Sequence, residues 1–217
     1  MNVAGILAEV PRRSALVVGD ICLDRWCSYD PATTEPSRET GIPRIGVIST
    51  ETTAGAGGTI ANNLAALGIG RVAVLGAVGE DGFGYELEQA LVSRSVSTEL
   101  LVRSDELSTF TYTKLLNLTS GVEDQPRVDF INTRPLPEAV ERQILARLRD
   151  VAENFDVIFV SDQAETVHGG VVTPAVRERL AQIASRKLVL ADSRRRLAEF
   201  RHVVLKSNGP RAAPPDR

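Results

Sequence analysis

Two carboxylates open the chemistry of this chain. Gly19, Asp20 and Asp24 lie in VVGDICLD (17–24), at the end of a short apolar run. A carboxylate offers several acceptor sites to paired hydroxyl groups, so Asp24 suits a polyhydroxy ligand. The same residues equally suit a turn cap, with Asp24 paired to Arg25 or a neighbour. Gly55, Gly57 and Gly58 (AGAGG, 54–58) precede a helix expected from about Thr59. Their amides can approach a polar or anionic ligand at a helix N-terminus, or the glycines can serve a tight turn and close packing. The spacing is neither Gly-x-Gly-x-x-Gly nor that of a Walker A loop, since no Gly-Lys-Ser/Thr follows. In GEDGFG (79–84) the acidic residues read as helix caps, a structural role. Asp162 and Asp192 each end an apolar strand, and Lys206 and Asn208 end another. Polar groups gathered at one rim of strand ends mark a site better than any of them singly.

The elements that must carry these residues alternate. ALVVGDI (15–21) is a continuous apolar run, as expected of a strand covered on both faces of a parallel sheet. From 25 to 53 the prolines at 31, 36 and 43 break any helix, and RIGVIST (44–50) is rich in β-branched residues, which predicts an extended, partly exposed excursion. A helix over 59–67 places Ile60, Leu64 and Leu67 on one stripe, with Gly68 to end it. A strand over 71–79 and a helix over 85–94 follow. TFTYTKLLNLTS (109–120) and PRVDFIN (126–132) predict two antiparallel strands. A proline-opened helix over 137–154, strands at 156–162, 187–193 and 202–208, and a helix at 174–186 complete the pattern. Strand and helix in alternation predict an α/β fold with a mainly parallel sheet and helices on both faces.

The 217 residues carry 25 basic and 28 acidic side chains, a net charge of -3, and no long basic run. Nucleic acid and anionic membrane are poor partners for such a surface. No apolar stretch approaches the roughly 20 residues needed to cross a bilayer, and MNVAGILAEVPRRS has no secretory pattern, so a cytoplasmic protein is expected. Cys22 and Cys27 read as buried structural residues, and with two histidines no zinc site is expected.

Taken together, VVGDICLDRW (17–26), SRETGIP (37–43), AGAGGTIANNLAALG (54–68) and VGEDGFG (78–84) resemble the phosphofructokinase-B, ribokinase-like carbohydrate kinases, most of all the heptose 7-phosphate kinase branch. The resemblance covers about 15–208. It implies a ribokinase-like domain over 1–208 with an unstructured tail at 209–217, and a small β lid formed from parts of 25–53 and 107–132. It further implies phosphoryl transfer from ATP, with Mg²⁺, to a hydroxyl of a sugar or sugar phosphate, heptose 7-phosphate being a candidate. By position, Asp24 would bind sugar hydroxyls, and Gly55, Gly57, Gly58 and Thr59 would form the loop below the sugar. Lys114 and Arg127 would meet a substrate phosphate, and Lys206 and Asn208 the nucleotide. Where the family loop carries an asparagine this chain has Thr59; Asn63 takes that role in a shifted register. The family's Gly-Ala-Gly-Asp segment, source of the general base and anion hole, is absent from the 217 residues. The resemblance therefore implies a C-terminally truncated fold with little turnover of its own. The alternative is a non-catalytic sugar-binding or lid-dimerising remnant, a homodimer through the lid being the partner implied.

Overall fold

A computed structural model of the chain describes residues 3–166 and 168–206. Helix α1 (Val3–Glu9) leads into strand β1 (Ser14–Gly19), which passes through the single residue Asp20 into β2 (Ile21–Tyr29). The two-residue strands β3 (Glu35–Pro36) and β4 (Pro43–Arg44) pair with each other before β5 (Val47–Ala56) and α2 (Gly57–Ala66). Next come β6 (Arg71–Leu75), β7 (Ala77–Gly79), α3 (Gly82–Val92), β8 (Val96–Ser97), β9 (Val102–Ser104), β10 (Thr111–Asn117) and β11 (Val128–Phe130). Helix α4 (Glu138–Val151), β12 (Val157–Asp162), α5 (Pro174–Ala184), β13 (Leu188–Ser193) and β14 (Val204–Lys206) complete the described chain.

Six strands form one parallel sheet in the order β14-β13-β12-β1-β6-β8. Its central strand β1 is buried from Ala15 to Gly19, which explains the unbroken apolar run there. Because side chains alternate across a strand, Leu16 and Val18 enter the core beneath α4 and α5, with Ile144, Leu148, Val176 and Leu180. Val17 enters the opposite core, with Leu87 and Leu91 of α3 and Ala61 of α2. Both faces of the sheet therefore carry helices, as the alternating pattern requires. None of the described helices is long and apolar enough to cross a membrane.

A second, four-stranded sheet in the order β11-β10-β2-β5 stands beyond the carboxyl end of β1. Its strands come from the segments expected to form the lid, the name used for it below, but it starts at Ile21 rather than at residue 25. The run expected as one strand over 15–21 breaks at Asp20, and burial changes from continuous in β1 to mixed in the later part of β2. The two middle segments pair antiparallel as expected, and β10 then joins β2 in parallel.

Helix α2 starts two residues before its expected first residue, with Gly57 and Gly58 inside the first turn. Position 58 admits no side chain, since a Cβ there would stand 2.5 Å from the Cβ of Ala54. The residue before the helix, Ala56, has φ 52° and ψ -117°, a conformation suited to glycine. Ala56→Gly is expected to relieve that strain by more than the entropy glycine adds to the unfolded chain, a net gain of about 1 kcal/mol. Thermal unfolding would then shift upward by about 2–4 °C, and a lower melting temperature would contradict the strain.

Candidate functional site: a crevice between lid and sheet

Alternation along β2 divides the lid into two faces. Leu23 and Arg25 face α3, where Arg25 pairs with Glu86 (3.3 Å) and lies over the Phe83 ring (4.9 Å to its centre). Cys22, Asp24 and Trp26 take the other face. Arg25 is thus spoken for on the far side, and the cap-or-pair alternative for Asp24 does not hold. Across the lid, Asp24 stands in a row with Thr53 of β5, Tyr112 of β10 and Asp129 of β11.

Asp24 is half-buried, and among the described residues no group donates a hydrogen bond to its carboxylate. The carboxylate rests on Gly55, where a Cβ would come within 2.6 Å of Oδ2. Any side chain at 55 would fill the space the carboxylate uses. Burial raises the Asp24 pKa above its ordinary 3.8, opposed by the positive charges of Lys114, Arg127 and Arg194. Lys114 lies over the Trp26 ring at 3.7 Å, while Arg127 pairs with Asp129 (2.6 Å) and covers the Tyr112 ring (4.9 Å). Below them Cys22, Phe110 and Ala164 make a small apolar floor joined by Ala56 and Tyr112. Burial pushes the Cys22 thiol well above its usual pKa, so it stays protonated and inert at neutral pH.

The remaining predicted residues gather next to this row. Thr59 and Asn63 of α2 line a slot with Ser161, Gln163, Asp192 and Lys206, walled by apolar residues that include Phe159 and Leu190. The Ser161 hydroxyl is buried there without a hydrogen-bond partner among the described residues. Lys206 Nζ pairs with Asp192, its neighbour on the adjacent strand (3.0 Å). Gly57 and Gly58 lie at the junction of the two groups, and the Gly57 amide donates to the Asp20 carbonyl (2.9 Å), closing the floor. The structure therefore brings Asp24, Gly55, Lys114 and Arg127 together under the lid, and Thr59, Asn63 and Lys206 along the slot. Asn208 lies outside the described residues. Asp162, expected at the rim, is fully buried and held by Arg196 and by the Ser193 hydroxyl (2.6 Å). Asp81 caps α3 through the Gly84 amide (2.7 Å) and also accepts from Thr109, the structural role expected of it.

Comparison with known proteins decides the family. The model of the pfkB family carbohydrate kinases matches residues 15–198. This chain belongs to the pfkB family of carbohydrate kinases. Among curated pfkB relatives, it is 31% identical over 174 residues to the bifunctional protein HldE of Trichlorobacter lovleyi, spanning 79% of this chain and 33% of that protein. It is 30% identical to the D-beta-D-heptose 7-phosphate kinase of Bordetella bronchiseptica over 73% of this chain and 48% of that one. The chain thus spans between a third and a half of the length of these relatives. A carbohydrate kinase from Agrobacterium tumefaciens shares the fold, with a TM-score of 0.58 and 20% identity over 86% of this chain and 55% of that chain. So does Arabidopsis thaliana ribokinase complexed with ribose and ATP, at a TM-score of 0.54 and 18% identity over 83% and 53%.

Within this pfkB chain, sequence reasoning missed three groups at the crevice: Tyr112, Gln163 and Arg194. Tyr112 was legible in principle, because once β2 and β10 are paired it falls opposite Asp24. Gln163 and Arg194 come from loops after β12 and β13, and nothing local marks them.

Proposed function

We propose that this chain supplies the sugar-binding part of an ATP-dependent carbohydrate kinase and that its substrate is a sugar phosphate of the heptose 7-phosphate kind. The observation that carries the reading is Asp24: a half-buried carboxylate with no protein donor among the described residues, seated on Gly55 and faced by cations. A partly desolvated acceptor with no protein donor gains from a ligand that donates to it, and two sugar hydroxyls do so. Lys114 and Arg127 suit the phosphate of such a substrate, since cations pair with a phosphomonoester. The names of the curated relatives support the heptose assignment, and Thr59 and Asn63 present the hydroxyl and amide beside it.

ATP with Mg²⁺ would supply the phosphoryl group and offset its charge in transfer. The residues of this chain that fit that role line the slot: Lys206 for a phosphate and Asp192, 22% exposed, for a hydrated cation. None of the 217 residues is assigned as general base. A cytoplasmic location and pairing of two copies through the lid belong to the same reading. Exposed Val47, Ile48, Val128, Phe130 and Ile131 on the lid strands and beside them support the second of these.

Trp26, the one tryptophan of the chain, sits two residues from Asp24 on the same face and reports binding by its fluorescence. Heptose 7-phosphate is expected to change that signal at neutral pH. Affinity should then fall on acidification, with a midpoint above 3.8, because burial raises the pKa of the carboxylate that must stay ionised. Absence of binding by heptose 7-phosphate, ribose and fructose alike would remove the reading.

A further inference from the structure

A buried carboxylate and a partly buried guanidinium hold one short turn from opposite sides. Asp20 is 1% exposed; its Oδ2 accepts from the amides of Gln163 (2.7 Å) and Ala164 (2.8 Å), and its Oδ1 from Val171 (2.8 Å). Arg196, ion-paired with buried Asp162, donates to the carbonyls of Ala164 (3.4 Å) and Thr166 (3.3 Å). One carboxylate thus takes the amides of the turn and one guanidinium takes its carbonyls. Asp20 is itself pinned, its amide donating to the Ser161 carbonyl (2.8 Å) and its carbonyl accepting from Gly57. Desolvation raises the Asp20 pKa, and the three amide bonds work against that cost.

This fixed turn presents Arg194. Its Nε donates to the Gln163 side chain (2.9 Å), its guanidinium pairs with Glu165, and its amide donates to the Asp162 carbonyl (3.0 Å). The Glu165 pairing is solvent-exposed, and such pairs contribute little, so exchanging it for a ligand anion costs little. Arg194 also acts electrostatically on Asp24, as Lys114 and Arg127 do. Those two stand on or beside lid strands; Arg194 stands on the sheet side.

We propose that Arg194 is a substrate-contacting residue that meets the anionic group of a sugar phosphate from the sheet side, opposite Lys114 and Arg127, and that Asp20 is the positioning residue that fixes it by holding the turn 163–166. This deepens the proposed function and rests on it. A planar guanidinium already aligned by two side-chain acceptors loses little freedom on taking a phosphate, which makes it a discriminator between phosphorylated and free sugars.

The test uses the full 217-residue chain, Trp26 fluorescence, and three probes: heptose 7-phosphate, the unphosphorylated heptose and inorganic phosphate. Arg194→Gln is expected to weaken heptose 7-phosphate by about 10- to 100-fold while leaving heptose unchanged, and to abolish competition by inorganic phosphate. Asp20→Asn is expected to weaken heptose 7-phosphate by about tenfold, with no further loss when combined with Arg194→Gln, since both act through one contact. Should Asp20→Asn fail to fold, Gln163→Ala removes the acceptor of Arg194 from a partly exposed position and carries the same expectation. Unchanged binding of heptose 7-phosphate by Arg194→Gln, or equal loss for both sugars, overturns the assignment of Arg194. Additive losses in the double variant overturn the positioning role of Asp20. A wild-type chain that binds none of the three probes takes down the proposed function as well, whereas wild-type binding with Arg194→Gln indifferent takes down this inference alone.

Discussion

Asp24→Ala is expected to weaken sugar binding by about 30- to 1,000-fold, the loss of two hydrogen bonds to a charged acceptor, or about 2–4 kcal/mol. Isothermal titration with heptose 7-phosphate measures it directly. The same substitution should leave the fold intact, because among the described residues none donates to this carboxylate. The sign of its stability effect follows from the raised pKa. A carboxyl whose pKa is higher in the fold than in the unfolded chain favours folding below the unfolded value, and that advantage is lost as pH rises through the folded value. At neutral pH the ionised Asp24 therefore works against folding, and its removal should be neutral or mildly stabilising in a thermal melt. Weakened binding with an unchanged or raised melting temperature is the pattern of a residue kept for its ligand. Loss of binding together with a collapsed melt would instead make Asp24 a structural residue.

The largest stability effect is expected at Gly19, where β1 ends. Its φ is +129°, and a Cβ there would lie 2.2 Å from the Ser161 carbonyl oxygen of the neighbouring strand. Neither the dihedral nor the contact can relax cheaply, because Asp20 next to it is hydrogen-bonded to that same carbonyl. Gly19→Ala should destabilise the chain by about 3–5 kcal/mol, a large part of the roughly 5–15 kcal/mol typical of a native domain. Urea unfolding that shows less than about 1 kcal/mol of change would refute the account.

Much of this architecture was legible because the local rules agree with the global ones. The apolar runs of β1, β12 and β13 announce a parallel sheet, and the threonine- and aromatic-rich segments of β10 and β11 announce a pair of antiparallel strands. Asp24 was legible for the same reason, being a polar residue just past a buried strand. Asp20 was not, because its partners at 163, 164 and 171 are far away in sequence, and Gly-Asp at a strand end reads as a turn cap. The helix start at Gly57 was misplaced since two glycines argue against helix by propensity, while the Gly57 bond to Asp20 and the close approach of Ala54 to Gly58 impose it. Arg194 stands in a run of three arginines with no local mark of difference. Only the tertiary turn separates Arg196, paired with buried Asp162, from Arg194, held by Gln163 and Glu165.

The parallel pairing of β2 with β10 has a consequence for the order of assembly. Thr111 must find Leu23 after the intervening chain has laid down β5, α2, β6 and α3. Closing so long a loop delays the contact, since non-local pairings form slowly. On the ribosome β2 emerges early and waits with one edge open until β10 is made. That waiting strand is where a nascent chain of this kind is most exposed to pairing with a neighbour, and where a chaperone would have most to protect.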